Sequence, residues 1–235
     1  MVLRLVVFLS KTNVEREIVI TGDGSKTIQI KDWNEQYHSK HGAIQEAYHV
    51  FIKNGLELFE NVELSILEIG FGTGLNAFIT LLEAPKRKLR VHYTGVEAYP
   101  VLNTEIGQLN YVEELEAIEH RGEFEKLHSC PWEEYSLISK NFRLQKVQKD
   151  FMDIQNASEF DLIYFDAFGA RVQPELWTVE IFQKMCNALK ENGVLVTYAA
   201  KGSVRRAMQE VGFKVERLPG PPGKREMLRA SKLNS

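Results

Sequence analysis

The sequence predicts an α/β fold, built on a doubly wound and mostly parallel sheet with a β-rich extension before it. The first observation is residues 67–76, where an apolar run leads into three alternate glycines and then a helical pattern, as a strand, a tight loop and a helix would. The second is the alternation of strand and helix patterns that follows. The third is residues 219–223, a proline- and glycine-rich turn without a helix, which predicts an antiparallel terminal pair of strands.

The N-terminal segment, residues 1–60, is predicted to be a β-hairpin and helix extension. Residues 18–20 and 27–30 are short β-branched runs, and the turn between them contains an aspartate and two glycines, which predicts a hairpin. Apolar residues at helical spacing predict a helix over 43–59 that closes near Asn54.

The first nine residues indicate neither a membrane anchor nor a leader peptide. The apolar run over 2–9 is interrupted by Arg4, is too short to span a bilayer and precedes no small-residue cleavage site. We therefore expect a first strand there. The two cysteines, Cys130 and Cys186, form no C-x-x-C motif, so the sequence indicates neither a disulfide framework nor a zinc site and fits a cytoplasmic protein.

Residues 61–235 are predicted to form the second and larger domain. Pro174 suits the first turn of a helix, and Asn192 with Gly193 is expected to end that helix before the next strand. The predicted strands are 64–69, 91–97, 143–149, 160–166, 194–199, 213–218 and 225–230. The predicted helices are 75–83, 101–119, 174–190 and 203–211.

Charge is distributed unevenly along the chain. The formal net charge is −3, which by itself does not indicate nucleic-acid binding. From Lys201 onward, however, there are nine basic residues against three acidic ones, and an acid-rich stretch over 113–125 compensates. Association with phosphates depends on the electrostatic field at the contact surface. Two interpretations of the basic C-terminal segment are therefore open: a face that binds phosphates, or simply a solvated surface.

Four of the predicted strands are followed by residues suited to a ligand site. These are the glycine loop, Glu97, Asp150 and Asp166. Ligands of doubly wound sheets bind at the carboxyl ends of the strands, so the four positions are expected to converge on one edge. The loop departs from the dinucleotide fingerprint, because Leu75 stands where that pattern requires its third glycine. Its N–H groups and the following helix start favour a polar or anionic ligand.

Each of these carboxylates has an expected role. Glu97 closes a strand and can accept hydrogen bonds from two ribose hydroxyls. Asp150 beside Phe151 suits an adenine, with Asp153 as a competing candidate. Asp166 ends a buried strand, where a carboxylate needs a partner or a task, so it is the candidate for holding a nucleophile; the alternative is a cap of the following turn.

The remaining histidines and tryptophans indicate no metal site or stacking platform. His38 and His41 are three positions apart, but no third ligand at suitable spacing is apparent. Trp33, Trp132 and Trp177 are expected to pack in the core or line a rim, because no interleaved basic residues accompany them.

With these residues in place, the chain resembles the methyltransferase domain of the MnmC family, the tRNA 5-methylaminomethyl-2-thiouridine methyltransferases. The similarity covers roughly residues 17–230. The segments that carry it are 70–76 (GFGTGLN), 166–168 with 174–178 (DAF and PELWT), 204–206 (VRR), 212–213 (GF), 223–227 (GKREM), and Tyr37, Ser39, Gly42 and Glu46 upstream.

This resemblance implies a class I S-adenosylmethionine-dependent methyltransferase, a Rossmann-like doubly wound sheet with an antiparallel terminal strand, and S-adenosyl-L-methionine as cofactor. Asp166 is the expected catalytic residue, and no metal is expected. The expected cofactor-binding residues are Glu68, Gly70, Phe71, Gly72, Thr73, Gly74, Asn76, Glu97, Asp150, Phe151 and Asp166. The expected substrate-binding residues are Tyr37, Ser39, Phe168, Arg205, Arg206, Lys224 and Arg225, of which the four basic residues are expected to hold the tRNA backbone on an outer face.

The implied reaction is N-methylation of the 5-aminomethyl group of wobble (2-thio)uridine in tRNA. The chain ends at Ser235 without a second dinucleotide fingerprint, so it resembles a stand-alone methyltransferase whose substrate a separate oxidase or aminomethyl-forming complex would supply. It departs from the family pattern at Ala167 and at residues 169–171, beside the expected catalytic acid. The alternatives are a methyltransferase or aminopropyltransferase for a small amine or a protein, and a non-catalytic cofactor-binding module.

Overall fold

A small antiparallel sheet opens the described part of the chain. The structure is a computed structural model that describes residues 15–234, so the strand predicted over residues 2–9 lies outside it. The strands are β1 (Arg16–Ile20), β2 (Lys26–Ile30) and β3 (Glu35–Gln36), in that order. Ile18 faces Ile28 across the hairpin, which confirms the predicted pairing of these two runs.

The main sheet has eight strands. They are β4 (Glu63–Ile69), β5 (Arg90–Glu97), β6 (Tyr135–Ser139), β7 (Phe142–Gln148), β8 (Phe160–Phe165), β9 (Leu189–Thr197), β10 (Phe213–Pro219) and β11 (Glu226–Lys232). Their order is β10-β11-β9-β8-β4-β5-β7-β6. The five central strands are parallel, while β6 and β11 run antiparallel to their neighbours. The predicted doubly wound sheet and antiparallel terminal pair are confirmed. The order reverses between β4 and β8, which defines the switch point.

Helices cover both faces of this sheet. They are α1 (Ala43–Ala47), α2 (Leu75–Glu83), α3 (Asn103–Ile106), α4 (Tyr111–Glu114), α5 (Arg121–Ser129), α6 (Val179–Ala188) and α7 (Gly202–Glu210). Helix α2 has the predicted bounds, and α7 is displaced by one residue from the prediction. The helix predicted over 43–59 begins as α1, continues as a π-helical turn over Tyr48–Lys53 and ends in a 3₁₀ turn over Leu56–Leu58.

Between β5 and β7 the prediction was wrong. One helix was predicted over 101–119, but α3 and α4 are single turns separated by Gly107, and Glu116 adopts a positive φ of 51° that a continuous helix cannot contain. Helix α5 and strand β6 were not predicted. Most residues of α5 are not buried, and β6 is an edge strand, so neither has a full apolar face to produce a periodic signal.

The helix predicted over 174–190 is also shorter than expected. Residues Pro174–Trp177 form a separate 3₁₀ turn, and α6 begins after Thr178, whose hydroxyl accepts a hydrogen bond from the Ile181 N–H. Asn192 and Gly193 do not end this helix, since β9 already begins at Leu189. They lie instead where the register between β8 and β9 shifts, so the turn-like residues mark an irregularity within a strand.

Two apolar layers enclose the sheet. On one face, Phe51 and Phe78 from the helical segments pack with Tyr93 and Tyr164 from the strands. On the other face, α6 and α7 pack against alternate residues of the same strands. The helical part of the N-terminal segment is therefore buried in the main core, because Phe51 and Leu56 belong to it.

Gly95 of β5 provides a test of how the sheet supports the glycine loop. A Cβ at Gly95 would overlap the ring of Phe71, which is 3% exposed and packs near His128 and Trp132. We expect Gly95→Ala to lower the free energy of unfolding by about 1–3 kcal/mol, the usual cost of overpacking. Urea denaturation measures this, with Gly122→Ala in α5 as the control, because nothing lies within 4 Å of a Cβ there. Equal midpoints for Gly95→Ala and the unchanged protein would contradict this account.

Candidate active site

A cavity of about 520 Å³ opens at the carboxyl ends of the central strands. Its size is typical of a small-molecule site, and its position is the switch point of the sheet. Residues 70–73 of the glycine loop line it, but Gly74 does not. Glu97 at the end of β5, Asp150 after β7 and Asp166 after β8 also line it. The four positions that sequence reasoning grouped are thus brought together by the fold.

The glycine loop is held close to two other strand ends. The N–H groups of Gly70 and Phe71 both donate to the Val96 carbonyl, at 2.9 and 3.0 Å. Gly70 has a φ of +91°, and a Cβ there would lie 2.7 Å from the Asp166 carbonyl oxygen, so only glycine fits. Phe71 directs its ring into the core, so its contribution to the cavity comes chiefly from its backbone. Gly74 ends the loop with a φ of +71° at the start of α2.

Glu97 is fixed by backbone donors from two segments. Its Oε2 accepts from the Gly72 N–H at 3.0 Å and its Oε1 from the Tyr99 N–H at 2.9 Å. The side chain is buried, and this burial raises its pKa, while the N–H donors and Arg16 act in the opposite direction. Each carboxylate oxygen keeps a lone pair for another donor, so the group fits two ribose hydroxyls.

Asp150 and Phe151 occupy the neighbouring part of the cavity. The Asp150 carboxylate accepts from the Met152 N–H at 2.9 Å and caps the 3₁₀ turn Phe151–Asp153. Phe151 lines the cavity and is nearly buried, whereas Asp153 is exposed and does not contribute to the lining. This arrangement favours Asp150 over Asp153 as the contact to an adenine.

Asp166 is the partly exposed end of a polar chain whose other members, Asn76 and Glu68, are buried. The Asn76 side chain donates to Asp166 Oδ2 and to Glu68 Oε1, both at 2.9 Å. Glu68 is 1% exposed and does not line the cavity, so it acts behind Asn76 and not as a direct ligand contact. Burial raises the pKa of Glu68 and of Asp166 well above their ordinary values. A carboxyl with a raised pKa is suited to accepting a proton near neutral pH.

The N-terminal segment forms the roof of the cavity. The Tyr37 ring covers Gly72, because a Cβ at that glycine would lie 3.1 Å from Tyr37 Cδ1. Tyr37 and Trp33 both make edge contacts with Phe168, at centroid distances of 4.9 and 5.7 Å. Ser39 lines the same wall. Tyr37, Ser39 and Phe168 therefore lie at the cavity, where the resemblance implied substrate contacts.

Arg171 ties this roof to the loop after β8. Its Nη2 donates to the backbone oxygens of Trp33 and Asn34, and it forms an ion pair with Glu35 at 2.6 Å. These contacts fix residues 33–35 against the segment that follows Asp166.

The basic residues near the C-terminus do not form one free surface. Lys224 lines the cavity and pairs with Glu46 at 2.5 Å, so its expected role as an outer phosphate contact does not match its position. Arg205, Arg206 and Arg225 do not line the cavity, and the last two are exposed. Within residues 201–234, four of the nine cations make internal contacts: Arg217, Lys224, Arg229 and Lys232.

The histidine pair shows no metal geometry. His38 Nδ1 lies 2.9 Å from the Thr27 hydroxyl, and burial lowers the pKa of His38 to about 4, so the ring is neutral. Across residues 15–234, no group of three or more histidine, cysteine or acidic side chains is placed to hold a metal ion. Nor does this part of the chain contain a helix with the length and apolar character needed to cross a bilayer.

Sequence reasoning missed several residues that line the cavity, among them Tyr198, Arg16 and Glu46. Tyr198 follows β9 and donates from its hydroxyl to the Ala167 carbonyl at 2.8 Å; its place after a strand was a usable signal. Arg16 lines the cavity beneath Tyr37 and pairs with Glu105 at 3.2 Å, and no local pattern marked it. Trp33 is a rim residue as expected, while Trp132 and Trp177 pack against Phe71 and Phe165.

Comparison with known proteins supports a methyltransferase site. A family model described as S-adenosyl-L-methionine-dependent methyltransferase matches residues 127–233. The tRNA 5-methylaminomethyl-2-thiouridine biosynthesis bifunctional protein MnmC of Leptospira interrogans is 30% identical over 227 residues, covering 89% of this chain and 34% of that protein. The same protein of Hydrogenovibrio crunogenus is 29% identical over 210 residues, covering 83% and 31%. The chain thus spans about a third of the length of these relatives.

Solved structures give the same picture. The crystal structure of MNMC2 from Aquifex aeolicus superposes with a TM-score of 0.73 and 29% identity, covering 96% of this chain and 72% of that one. Spermidine synthase from Thermotoga maritima superposes with a TM-score of 0.51 and 16% identity, covering 88% and 68%. The second similarity is one of fold alone.

The geometry at Glu97 leads to a binding test. A carboxylate that accepts from two hydroxyls makes charge-assisted hydrogen bonds worth roughly 1.5–3 kcal/mol each. We therefore expect Glu97→Ala to weaken binding of S-adenosyl-L-methionine by at least about tenfold in calorimetric titration, with the fold intact by circular dichroism. Glu63→Ala is the control. Glu63 lies at the amino end of β4, away from the cavity at the carboxyl ends of the strands, so this variant is expected to bind the cofactor normally. Ordinary affinity in Glu97→Ala would remove Glu97 from the site.

Proposed function

We propose that this chain, a member of the S-adenosyl-L-methionine-dependent methyltransferase family that includes the MnmC proteins, methylates the 5-aminomethyl group of wobble (2-thio)uridine in tRNA. The observation that carries this proposal is the placement of Asp166. Its partly buried carboxylate, held by Asn76, faces a cavity whose other wall is the glycine loop with Glu97. The similarity to MnmC proteins extends over most of the chain and supports the choice of substrate.

The cavity residues fit the cofactor. Glu97 suits the ribose and Asp150 with Phe151 suits the adenine, while Gly70 and Gly72 line the same cavity. When bound, S-adenosyl-L-methionine supplies an activated methyl group on a sulfonium that already is a good leaving group. The chain's own task is therefore to align the acceptor amine and to keep its lone pair available.

The acceptor amine defines what Asp166 must do. A primary alkylamine is largely protonated at neutral pH, and an ammonium has no lone pair for attack. The Asp166 carboxylate can accept a hydrogen bond from the amine, orient it and take its proton. Its raised pKa makes this transfer more favourable than it would be to an ordinary aspartate.

Two other functions remain as alternatives. A small-amine methyltransferase or aminopropyltransferase would use a related site, but the similarity to spermidine synthase is one of fold alone. A non-catalytic module would have no use for a proton acceptor, so an Asp166 carboxylate held at the cavity by Asn76 speaks against it. Nuclease treatment of the substrate preparation separates the cases, because it abolishes methyl transfer only when the acceptor is RNA.

The decisive test of the substrate is mass spectrometry of wobble nucleosides. Cells that lack this protein are expected to accumulate 5-aminomethyl(-2-thio)uridine and to lose the methylated nucleoside. Complementation with the unchanged gene should restore it. An unaltered nucleoside profile would exclude this substrate.

Two further elements belong to the same proposal. A tRNA substrate places the protein in the cytoplasm, with an upstream oxidase or aminomethyl-forming complex as the source of the acceptor. Residues 1–60 would be the extension, and its described part closes the cavity, since Tyr37, Ser39 and Glu46 all line it. Residues 61–235 would then be the methyltransferase domain proper.

Asp166→Asn tests the catalytic step. The substitution preserves size and removes the basicity, so we expect turnover to fall by about 10²–10⁴-fold, the usual range for a lost general base. Cofactor affinity should change little, because Glu97 and Asp150 are unchanged. Single-turnover measurement with saturating tRNA isolates the chemical step. A chemical rate equal to that of the unchanged protein would end the catalytic assignment.

Arg206 and Arg225 test the tRNA-docking surface. Both are exposed basic residues of the C-terminal segment, so we expect Arg206→Gln with Arg225→Gln to weaken tRNA binding and to reduce the slope of log affinity against log salt by up to about two units. The control is Lys140→Gln with Arg143→Gln, at the amino end of β7 and so at the opposite edge of the sheet. Equal slopes in the two double variants would place the docking surface elsewhere.

A further inference from the structure

An ion pair crosses the cavity beside Asp166. Lys224 Nζ lies 2.5 Å from Glu46 Oε2 and 3.8 Å from the centroid of the Tyr198 ring. Glu46 belongs to α1 and is 6% exposed, while Lys224 lies in the loop between β10 and β11. The two residues are 178 positions apart, so the contact joins the roof of the cavity to the far edge of the sheet.

Both partners are held in place independently of each other. Glu46 Oε1 accepts from the Ser39 N–H at 3.0 Å. The Lys224 N–H donates to Pro221 at 2.9 Å, and Gly223, with a φ of +82°, packs so closely against the His41 ring that a Cβ would overlap it. A loop held in this way does not leave Lys224 free to follow a mobile phosphate.

We infer that Glu46 and Lys224 are positioning residues, which set the charge balance around Asp166 and thereby decide whether the acceptor amine is bound as a cation or presented with a free lone pair. This inference rests on the proposed function. It reassigns Lys224 from the docking of the tRNA backbone to the methyl-transfer site.

The charges around Asp166 show why such a balance is needed. The carboxylate must accept a proton from an ammonium, and an unopposed cluster of negative charge would instead stabilise the ammonium. Besides burial, Glu46 raises the pKa of Asp166, while the Asn76 hydrogen bond and Lys224 lower it. The two partners therefore shift the pKa of Asp166 in opposite directions, and the pKa depends on the presence of both.

The other ionisable groups that interact with Asp166 are a carboxyl and two hydroxyls whose pKa values burial raises. Glu68 lies behind Asn76, and burial raises its pKa above the ordinary value. Tyr93 from β5 and Tyr198 after β9 also interact with Asp166, and burial raises the pKa of both hydroxyls well above the ordinary value. Glu46 and Lys224 remain as the charged neighbours that substitution can remove.

The test is the pH dependence of the chemical step in single turnover with saturating tRNA. The acid limb of the pH–rate profile, where the rate falls as the pH is lowered, should report protonation of Asp166. Glu46→Gln keeps an oxygen for the Ser39 N–H but removes a negative charge, so the limb should move to lower pH by about one unit. Lys224→Met removes a positive charge, so the limb should move to higher pH by a similar amount. Opposite shifts are the expected result, because a purely structural contact would slow both variants without moving the limb in opposite directions.

Three controls keep the inference falsifiable. Lys224→Arg retains the charge and should restore the unshifted limb, whereas Lys214→Met removes an exposed lysine of β10 and should leave it unmoved. A readout without turnover is ¹³C NMR of the labelled aspartate carboxyls, in which the Asp166 signal is identified by its loss in Asp166→Asn. Its midpoint should shift as the acid limb does.

The outcomes separate this inference from the proposed function. Failure of the unchanged protein to methylate tRNA would remove the proposed function, and the NMR titration would still measure the charge balance. Active enzyme whose limb and carboxyl titration do not move in Glu46→Gln and Lys224→Met would overturn the inference alone. Loss of tRNA affinity in Lys224→Met with a reduced salt slope and an unshifted limb would return Lys224 to the phosphate-docking role.

Discussion

The close approach of three strand ends at Gly70 is the constraint on which the site depends. Gly70 donates to the carbonyl at the end of β5 and leaves no room for a side chain beside the backbone of Asp166 after β8. This contact brings the loop, Glu97 and Asp166 within reach of one small molecule. A side chain at this position would push the loop away from β8 and separate the groups that must act together.

The polar groups at this junction are arranged in order of burial. Glu68, the deepest, has its pKa raised by burial and accepts a hydrogen bond from Asn76, which in turn donates to Asp166 at the cavity wall. Glu97 is also buried, but backbone donors from two segments satisfy it and oppose the effect of burial on its pKa. Two carboxylates of similar chemistry are thus suited to different tasks, one to proton acceptance and one to hydrogen bonding, by the partners that surround them.

The N-terminal segment is the element that turns an open crevice into a cavity. Tyr37 covers the glycine loop, Arg171 clamps the backbone of residues 33 and 34, and Lys224 meets Glu46 from the opposite side. Each of these contacts joins residues more than thirty positions apart in the chain. Closure of this kind excludes water from the reacting groups, which strengthens every electrostatic interaction between them.

The sequence by itself determined the sheet and the residues at its edge. Apolar runs gave the central strands because these are buried on both faces, and glycines at alternate positions marked the loop because only glycine permits its backbone angles. The same reasoning placed Glu97, Asp150 and Asp166 together, since parallel strands end at one edge. It failed at α3, α4 and β6, where partial burial leaves no regular apolar period.

Only the tertiary structure decided what those residues do to one another. Glu68 was expected to contact the cofactor and instead lies behind Asn76. The sequence could not predict this, because the local residue pattern does not determine how deeply a side chain is buried. Lys224 was expected on an outer basic face and instead pairs with Glu46. The sequence determines which residues are charged, but the fold determines which charges pair. Folding brings together groups that are far apart in the chain and removes the water that would otherwise screen them.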